Sequence, residues 1–260
     1  MADDDSLHIE FLGTGTSLGV PMIGCDCPVC HSTDTKDKRL RSSIMVESAT
    51  TRLVVDTGPD FRYQMLRQQV KKLDAVVFTH PHKDHMAGLD DIRAFNYFSK
   101  RHMDIYADSL TEEALRRDFY YAFSDTRYPG IPELNLNTIT EEPFLVGDIP
   151  VQPIQVWHHR MPVLGFRFGA FTYITDANRI EPDQKQKITG SEILVLNALR
   201  KQDHLSHFTL EQALLLIDQL QIPGGYLTHI SHQLGKHAEV EAELPPHIHL
   251  AFDGLVLEMP

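Results

Sequence analysis

Six consecutive residues, His80-Pro81-His82-Lys83-Asp84-His85, constrain this 260-residue chain more than any other segment. They follow a short apolar run, residues 75–79, that reads as a buried strand. Four of the six are imidazoles or a carboxylate, so no apolar face remains to pack against a core. A rigid strand delivering such side chains into one loop is the arrangement that organises a metal site.

Further strand-like runs recur at residues 7–12, 43–48, 51–56, 105–107, 151–156, 165–168, 171–175, 193–196, 225–228 and 249–252. Several end in a polar residue or histidine, as strands that feed a site often do. Helical periodicity is clearest over 210–220, where Leu210, Ala213, Leu214, Ile217 and Leu220 share a face and Thr209 with Gln212 forms a capping-box pattern. Leu89, Ile92, Phe95 and Phe98 predict a second helix over 88–98, and residues 110–123 a third. The surrounding tract 93–133, with Tyr97, Phe98, Tyr120, Tyr121, Phe123 and Tyr128, reads as an insertion serving as a lid, a dimer contact or plain core. No linker, repeat or low-complexity segment divides the chain, so one domain over 1–260 is expected. Strands at both ends, with helices between and after them, predict an α/β fold of two sheets sandwiched by helices.

Lys and Arg number 24 against 36 Asp and Glu, a net charge of −12, which disfavours nucleic acid as a partner. The apolar runs are too short to cross a membrane. The opening Met1-Ala2-Asp3-Asp4-Asp5 is acidic where a secretion signal is basic, so a cytoplasmic setting is expected. Cys25, Cys27 and Cys30 lie within six residues, an odd count whose spacing suits zinc better than disulfides and predicts a zinc loop near 24–32.

The H-x-H-x-D-H run resembles the signature of the metallo-β-lactamase superfamily, and the likeness extends from residue 12 to about 253. It implies an αββα sandwich of two mixed β-sheets flanked by helices. It implies seven ligands for two divalent ions, of zinc, manganese or iron: His80, His82 and His159 for one, Asp84, His85 and His229 for the other, and Asp176 between them. Asp84 carries a catalytic role as well. The spacing to Gly165-Phe166 favours His159 over its neighbour His158. Asp56 corresponds to the family's early aspartate that supports the histidine loop. His232, three residues beyond His229, is the fourth ligand expected for the cysteines, with His31 as the local rival.

The opening Leu12-Gly13-Thr14-Gly15-Thr16-Ser17-Leu18-Gly19-Val20-Pro21, the cysteine triplet and Thr228-His229-Ile230-Ser231-His232 together resemble the PhnP subgroup of cyclic phosphodiesterases. That likeness implies a dinuclear phosphodiesterase acting on a small, cyclic phosphodiester, with His207 as catalytic acid and His204 as a weaker rival, and a homodimer. The glycine run is read either as a tight turn or as a contact to substrate phosphate. Lys36, Lys38, Arg39 and Arg41 are read either as a solvated face or as a phosphate contact. Two other members of the superfamily frame alternatives: tRNase Z, an RNA 3′-end endonuclease, and PqqB, a non-catalytic binding protein with a similar zinc site.

Overall fold

The computed structural model describes residues 6–124 and 128–260; the acidic opening, residues 1–5, and residues 125–127 of the aromatic tract lie outside it. Along the chain run β1 (Leu7–Gly13), β2 (Ser43–Glu47), β3 (Arg52–Val55), α1 (Phe61–Arg67), β4 (Ala75–Val77), α2 (Lys83–Met86) and α3 (Arg93–Ser99). They are followed by β5 (Met103–Ala107), α4 (Ser109–Asp118), β6 (Leu134–Thr138), β7 (Phe144–Val146), β8 (Ile149–His158), β9 (Met161–Phe168) and β10 (Phe171–Ile174). The chain closes with α5 (Pro182–Ile188), β11 (Ile193–Asn197), α6 (Leu210–Gln219), β12 (Gly224–Thr228), α7 (His237–Glu241), β13 (Ile248–Leu250) and β14 (Val256–Met259). The strands form two seven-stranded sheets, in the orders β14-β1-β2-β3-β4-β5-β6 and β13-β12-β11-β10-β9-β8-β7. Strands β3 to β6 are parallel in the first, and β10 to β13 in the second.

Alternation of side chains across each strand explains why the central strands read as unbroken apolar runs. In β3, Leu53 and Val55 face the second sheet while Val54 faces the helices; in β11, Val195 faces the first sheet while Leu194 and Leu196 face the other way. A strand covered on both faces needs apolar residues at every position. Three cores result: one between the sheets, one under α1, α3 and α4, and one under α5, α6 and α7.

The helix expected over 210–220 is α6, and its capping box is present: Thr209 Oγ1 accepts from the Gln212 amide at 3.2 Å while Gln212 Oε1 accepts from the Thr209 amide at 3.0 Å. The helix expected over 88–98 is instead a 3₁₀ turn, Leu89–Ile92, running into α3. Its apolar residues are spaced by three, which is the 3₁₀ period as much as the helical one. Residues 110–123 divide similarly into α4 and a 3₁₀ turn, Tyr120–Ala122. The tract 93–133 carries β5, hydrogen-bonded between β4 and β6, so it is threaded through the first sheet rather than added outside it. Strands β6, β7 and β14 escaped the sequence reading because they are short edge strands with mixed exposure, where the apolar pattern fades.

One buried cation ties the loops beside the sheets' ends. Arg39, 4% exposed, donates to Thr14 Oγ1 at 2.8 Å, to the Ala251 carbonyl at 2.6 Å and to His237 Nδ1 at 3.1 Å. Burial, with the neighbouring Arg39 and Lys36 charges, lowers the His237 pKa to about 4. The unfolded chain therefore binds this proton more readily, so stability falls as pH drops from about 6.5 toward 4. His237→Gln keeps an acceptor for Arg39 without the titration. Its denaturant midpoint should lose less than the parent's over that window; equal losses would remove His237 as the source.

Candidate metal centre

The C-terminal ends of β3, β4, β10 and β12 converge on one edge of the sandwich, where parallel strands open loops. Three of those loops begin with a residue in the left-handed region: Asp56 at φ 67°, Asp176 at φ 55° and His229 at φ 55°. Asp and His tolerate this region better than most residues, but each such kink costs on the order of 1 kcal/mol and more. Each kink turns the chain sharply away at a position that the centre uses.

Asp56, fully buried, fixes the histidine loop. Its carboxylate accepts from the Thr79 amide at 2.8 Å, from Thr79 Oγ1 at 2.7 Å and from His85 Nδ1 at 2.7 Å. Thr79 spends its one hydroxyl proton on Asp56, so it accepts from His80 Nδ1, 2.9 Å away. Both imidazoles are thereby held with Nδ1 engaged and Nε2 turned toward the centre. The histidine loop also lies backbone to backbone against residues 57–58: a Cβ on Gly58 would sit 2.2 Å from the Asp84 carbonyl, and one on Gly88 would sit 2.1 Å from the Gly58 carbonyl. Only glycine fits at both contacts.

The donor atoms of Asp84, His85, Asp176 and His229 all lie within 4.8 Å of one another. His85 Nε2 is 3.2 Å from both the Asp84 and Asp176 carboxylates, yet it makes no hydrogen bond. Asp176 Oδ2 also faces His229 Nδ1 at 3.1 Å and accepts from Thr175 Oγ1 at 2.6 Å. Burial opposes charge on His85, but Asp176, Asp84 and Asp56 outweigh it and hold its pKa well above the ordinary imidazole range. Carboxylates crowded around an orphaned imidazole nitrogen call for a cation, and a divalent ion suits this nitrogen and oxygen donor set.

His80 Nε2 and His82 Nδ1 face each other at 3.1 Å, and His158 lies beside them, tilted to His80 and edge-on to His82, with ring centroids 5.8 and 5.1 Å away. His158 Nδ1 donates to the Ser206 carbonyl at 2.9 Å, leaving Nε2 for an ion. This corrects the expectation for His159. His159 is exposed, at φ 58° in the two-residue turn between β8 and β9, while His158, paired with Met161, is the residue beside His80 and His82. Strand phase decides it: Ile154, Val156 and His158 share one face of β8, and that alternation was present in the sequence.

His207, 8% exposed, sits between the two donor groups. Its ring is 4.6 Å from His158, 4.8 Å from His229 and 5.0 Å from His204. Its Nδ1 has no hydrogen-bond partner and lies 3.9 Å from Asp176 Oδ1. Burial and the neighbouring His229 charge lower its pKa to about 3, so the ring is neutral at pH 7. Asn197, unmarked in the sequence reading, holds the adjoining loop by exchanging both amide contacts with Ala177 at 2.9 Å.

The second cluster forms as expected. Cys25, Cys27, Cys30 and His232 bring their donor atoms within 4.8 Å of one another, with His232 Nδ1 3.2 Å from Cys25 Sγ and 3.3 Å from Cys27 Sγ. His31 is exposed and turned toward Asp26, 3.7 Å away. The Cys30 backbone amide, with smaller help from His232, lowers the Cys27 pKa to about 6, whereas burial raises Cys30 to about 11. Three thiols and one imidazole at this spacing fit tetrahedral zinc, whose ligand atoms stand about 3.8 Å apart.

The two segments read either as structural or as phosphate contacts make structural contacts. The amides of Gly15, Thr16 and Gly19 donate to the carbonyls of Leu40, Ile230 and Thr16, which closes the run into a tight turn. In the basic stretch, Lys38 Nζ donates to the Cys30 carbonyl, Arg41 pairs with Asp60, Arg39 is buried and Lys36 lies over Phe252.

Residues 51–230 match a family model described as the β-lactamase superfamily domain. A solved structure described as a new diphosphatase from the PhnP family superposes with a TM-score of 0.92 at 39% identity, covering 98% of this chain and 97% of that one. Zn(2+)-bound PqqB from Methylobacterium extorquens superposes at 0.78 with 20% identity, covering 97% and 100%, which shows the shared fold. Among curated proteins, an octanoyltransferase of Porphyromonas gingivalis is 40% identical over 247 residues, 94% of this chain but 50% of that protein. The chain thus spans half that relative's length.

Two outcomes follow from the geometry. Asp56→Ala frees His85 and Thr79 together and should weaken divalent-ion affinity at the histidine centre about 10- to 100-fold, read by competition with a chelating dye. Cys27→Ser should lower folded yield and remove one zinc per chain while the histidine centre keeps its ions; equal loss from both centres by elemental analysis would contradict their separateness.

Proposed function

The chain belongs to the β-lactamase superfamily, and from that membership we propose that it is a metal-dependent hydrolase cleaving a small phosphodiester, such as a ribosyl cyclic phosphate or a cyclic nucleotide. The observation that supports this reading most is the position of His207, whose Nδ1 has no hydrogen-bond partner, beside Asp176, a carboxylate grouped with Asp84, His85 and His229 on one side and with His158 on the other. A phosphodiester needs its departing alkoxide stabilised, and a histidine fixed at the metal edge is suited to that task.

His80, His82 and His158 would hold one divalent ion, Asp84, His85 and His229 the other, with Asp176 reaching both; zinc, manganese and iron all suit these donors. Ions so held neutralise phosphate charge and make water nucleophilic near neutral pH. The chain's own part is orientation. Asp56, the Ser206 carbonyl and Thr79 fix the tautomers of His85, His158 and His80, so the lone pairs point inward. With the nearby basic stretch committed to structural contacts, the phosphate charge falls to the ions, consistent with a metal-dependent reaction. With the anionic phosphate in place, His207 would take up a proton from solvent and pass it to the leaving oxygen as the ester bond breaks, returning to the neutral ring. Its pKa is low in the free site, and an anionic phosphate beside it acts in the opposite direction. We place the enzyme in the cytoplasm and give it one structural zinc at Cys25, Cys27, Cys30 and His232.

The 39% identical diphosphatase favours a related second substrate class, in which a phosphoanhydride replaces the ester. The octanoyl transfer named for the curated relative belongs to a protein of which this chain matches half.

The test is hydrolysis of bis(p-nitrophenyl) phosphate beside 2′,3′-cyclic, 3′,5′-cyclic and ribose 1,2-cyclic phosphates and a dinucleoside diphosphate. Metal-depleted protein would be resupplied with Mn²⁺ or Zn²⁺. Turnover should return with metal, and His207→Ala should lower it about 10²- to 10⁴-fold with metal content unchanged. Loss of an ion in that variant would make His207 a ligand with His158 and Asp176 instead. No turnover across the panel with both ions bound would overturn the proposal.

A further inference from the structure

On the outer helical layer, away from every candidate ligand, a trough of about 610 Å³ runs between α1 and α3. Its walls are apolar, built by Met65, Leu66, Phe95 and Phe98, and two of these are strongly solvent-exposed, Leu66 at 58% and Phe98 at 80%. A concave surface lined mostly by apolar side chains is the form that small-molecule sites take.

The charges around it decide what it fits. Arg62 and Lys71 line the trough and make no ion pair or side-chain hydrogen bond with any described residue. The other cations of this face are engaged: Arg67 with Asp253 at 3.5 Å, Lys72 with Asp74 at 2.9 Å, Arg93 with Asp90 at 3.0 Å, and Lys100 over the Tyr97 ring at 4.3 Å. Asp91 is the one carboxylate in the lining, so the trough is locally cationic in a chain of net charge −12. An apolar slot with unpaired cations complements a molecule that is apolar along its length and anionic at one end.

We propose that this trough binds a medium-chain fatty-acyl carboxylate, its chain lying between α1 and α3 and its head group at Arg62 and Lys71. The volume falls within the ~300 to 1,000 Å³ of small-molecule sites. A second copy fits less well, because a two-fold contact would bring the same unpaired cations toward their equivalents. A membrane surface fits less well too, since surface recognition draws on clusters of about four to eight cations.

Isothermal titration of the metal-loaded full chain with octanoate, decanoate and dodecanoate, below micelle concentrations, tests this. Binding should be one to one and tighten about fourfold per added methylene. Arg62→Glu and Lys71→Glu should each weaken dodecanoate at least fivefold, and Phe98→Ser should weaken it too, with circular dichroism and metal content unchanged. Dodecanol binding as tightly as dodecanoate, or indifference to both charge reversals, would overturn the proposal. So would binding only to phosphatidylglycerol vesicles or to an acidic helical peptide, or self-association abolished by Phe98→Ser without any fatty-acid binding.

Discussion

The Asp56 carboxylate is the contact on which the rest of the centre depends. It is fully buried, where an ionised carboxylate is costly, and it is retained because three donors from one segment of chain converge on it. Through Thr79 it orients His80, and directly it orients His85, so one group at the end of β3 sets imidazoles aimed at both donor groups. Burial pushes its pKa up while the His85 charge and the hydrogen bonds pull against it. The parallel pairing of β3 with β4 makes this possible, since it starts both loops from the same edge.

The same economy appears on the second sheet. His229 leaves β12 in a left-handed kink and faces Asp176, and three residues later His232 reaches the cysteine loop. The bridge between Gly15 and Ile230 then holds the glycine turn against this segment. The two clusters are thus mechanically joined while their donor sets differ, thiolate-rich on one side and imidazole with carboxylate on the other. Closed Cys and His sites suit structure, and imidazole and carboxylate sites with an open position suit chemistry.

Much of this was legible because metal chemistry demands particular residues at particular places. The histidine loop had no apolar side to hide, the cysteine triplet had no disulfide arithmetic, and α6 announced its start with a capping box. His207 was found through family likeness and its place before that helix. The readings left open in the sequence were of residues whose identity does not fix their direction. Lys36, Lys38, Arg39 and Arg41 look alike as letters, yet one is buried and the others are committed to a carbonyl, a carboxylate and an aromatic ring. Glycines suited equally to a turn or a phosphate cradle proved to spend their amides internally.

The sequence by itself determined the residue types of both metal clusters, the two-layered alternation of apolar strands and the order in which ligands arrive. These depend on side-chain chemistry and on local periodicity, which are properties of neighbouring residues. The tertiary structure decided that the strand within the tract 93–133, Met103–Ala107, pairs inside the first sheet and that an apolar trough between α1 and α3 keeps two unpaired cations. The alternation along β8 already put His158 on the face of Ile154 and Val156, and the tertiary structure showed that this face meets His80 and His82. A hairpin's phase relative to the rest of its sheet sends one of two adjacent imidazoles inward and the other to solvent. That choice is made by strand pairing and by a loop some fifty residues away in the chain, whose Ser206 carbonyl receives the His158 proton.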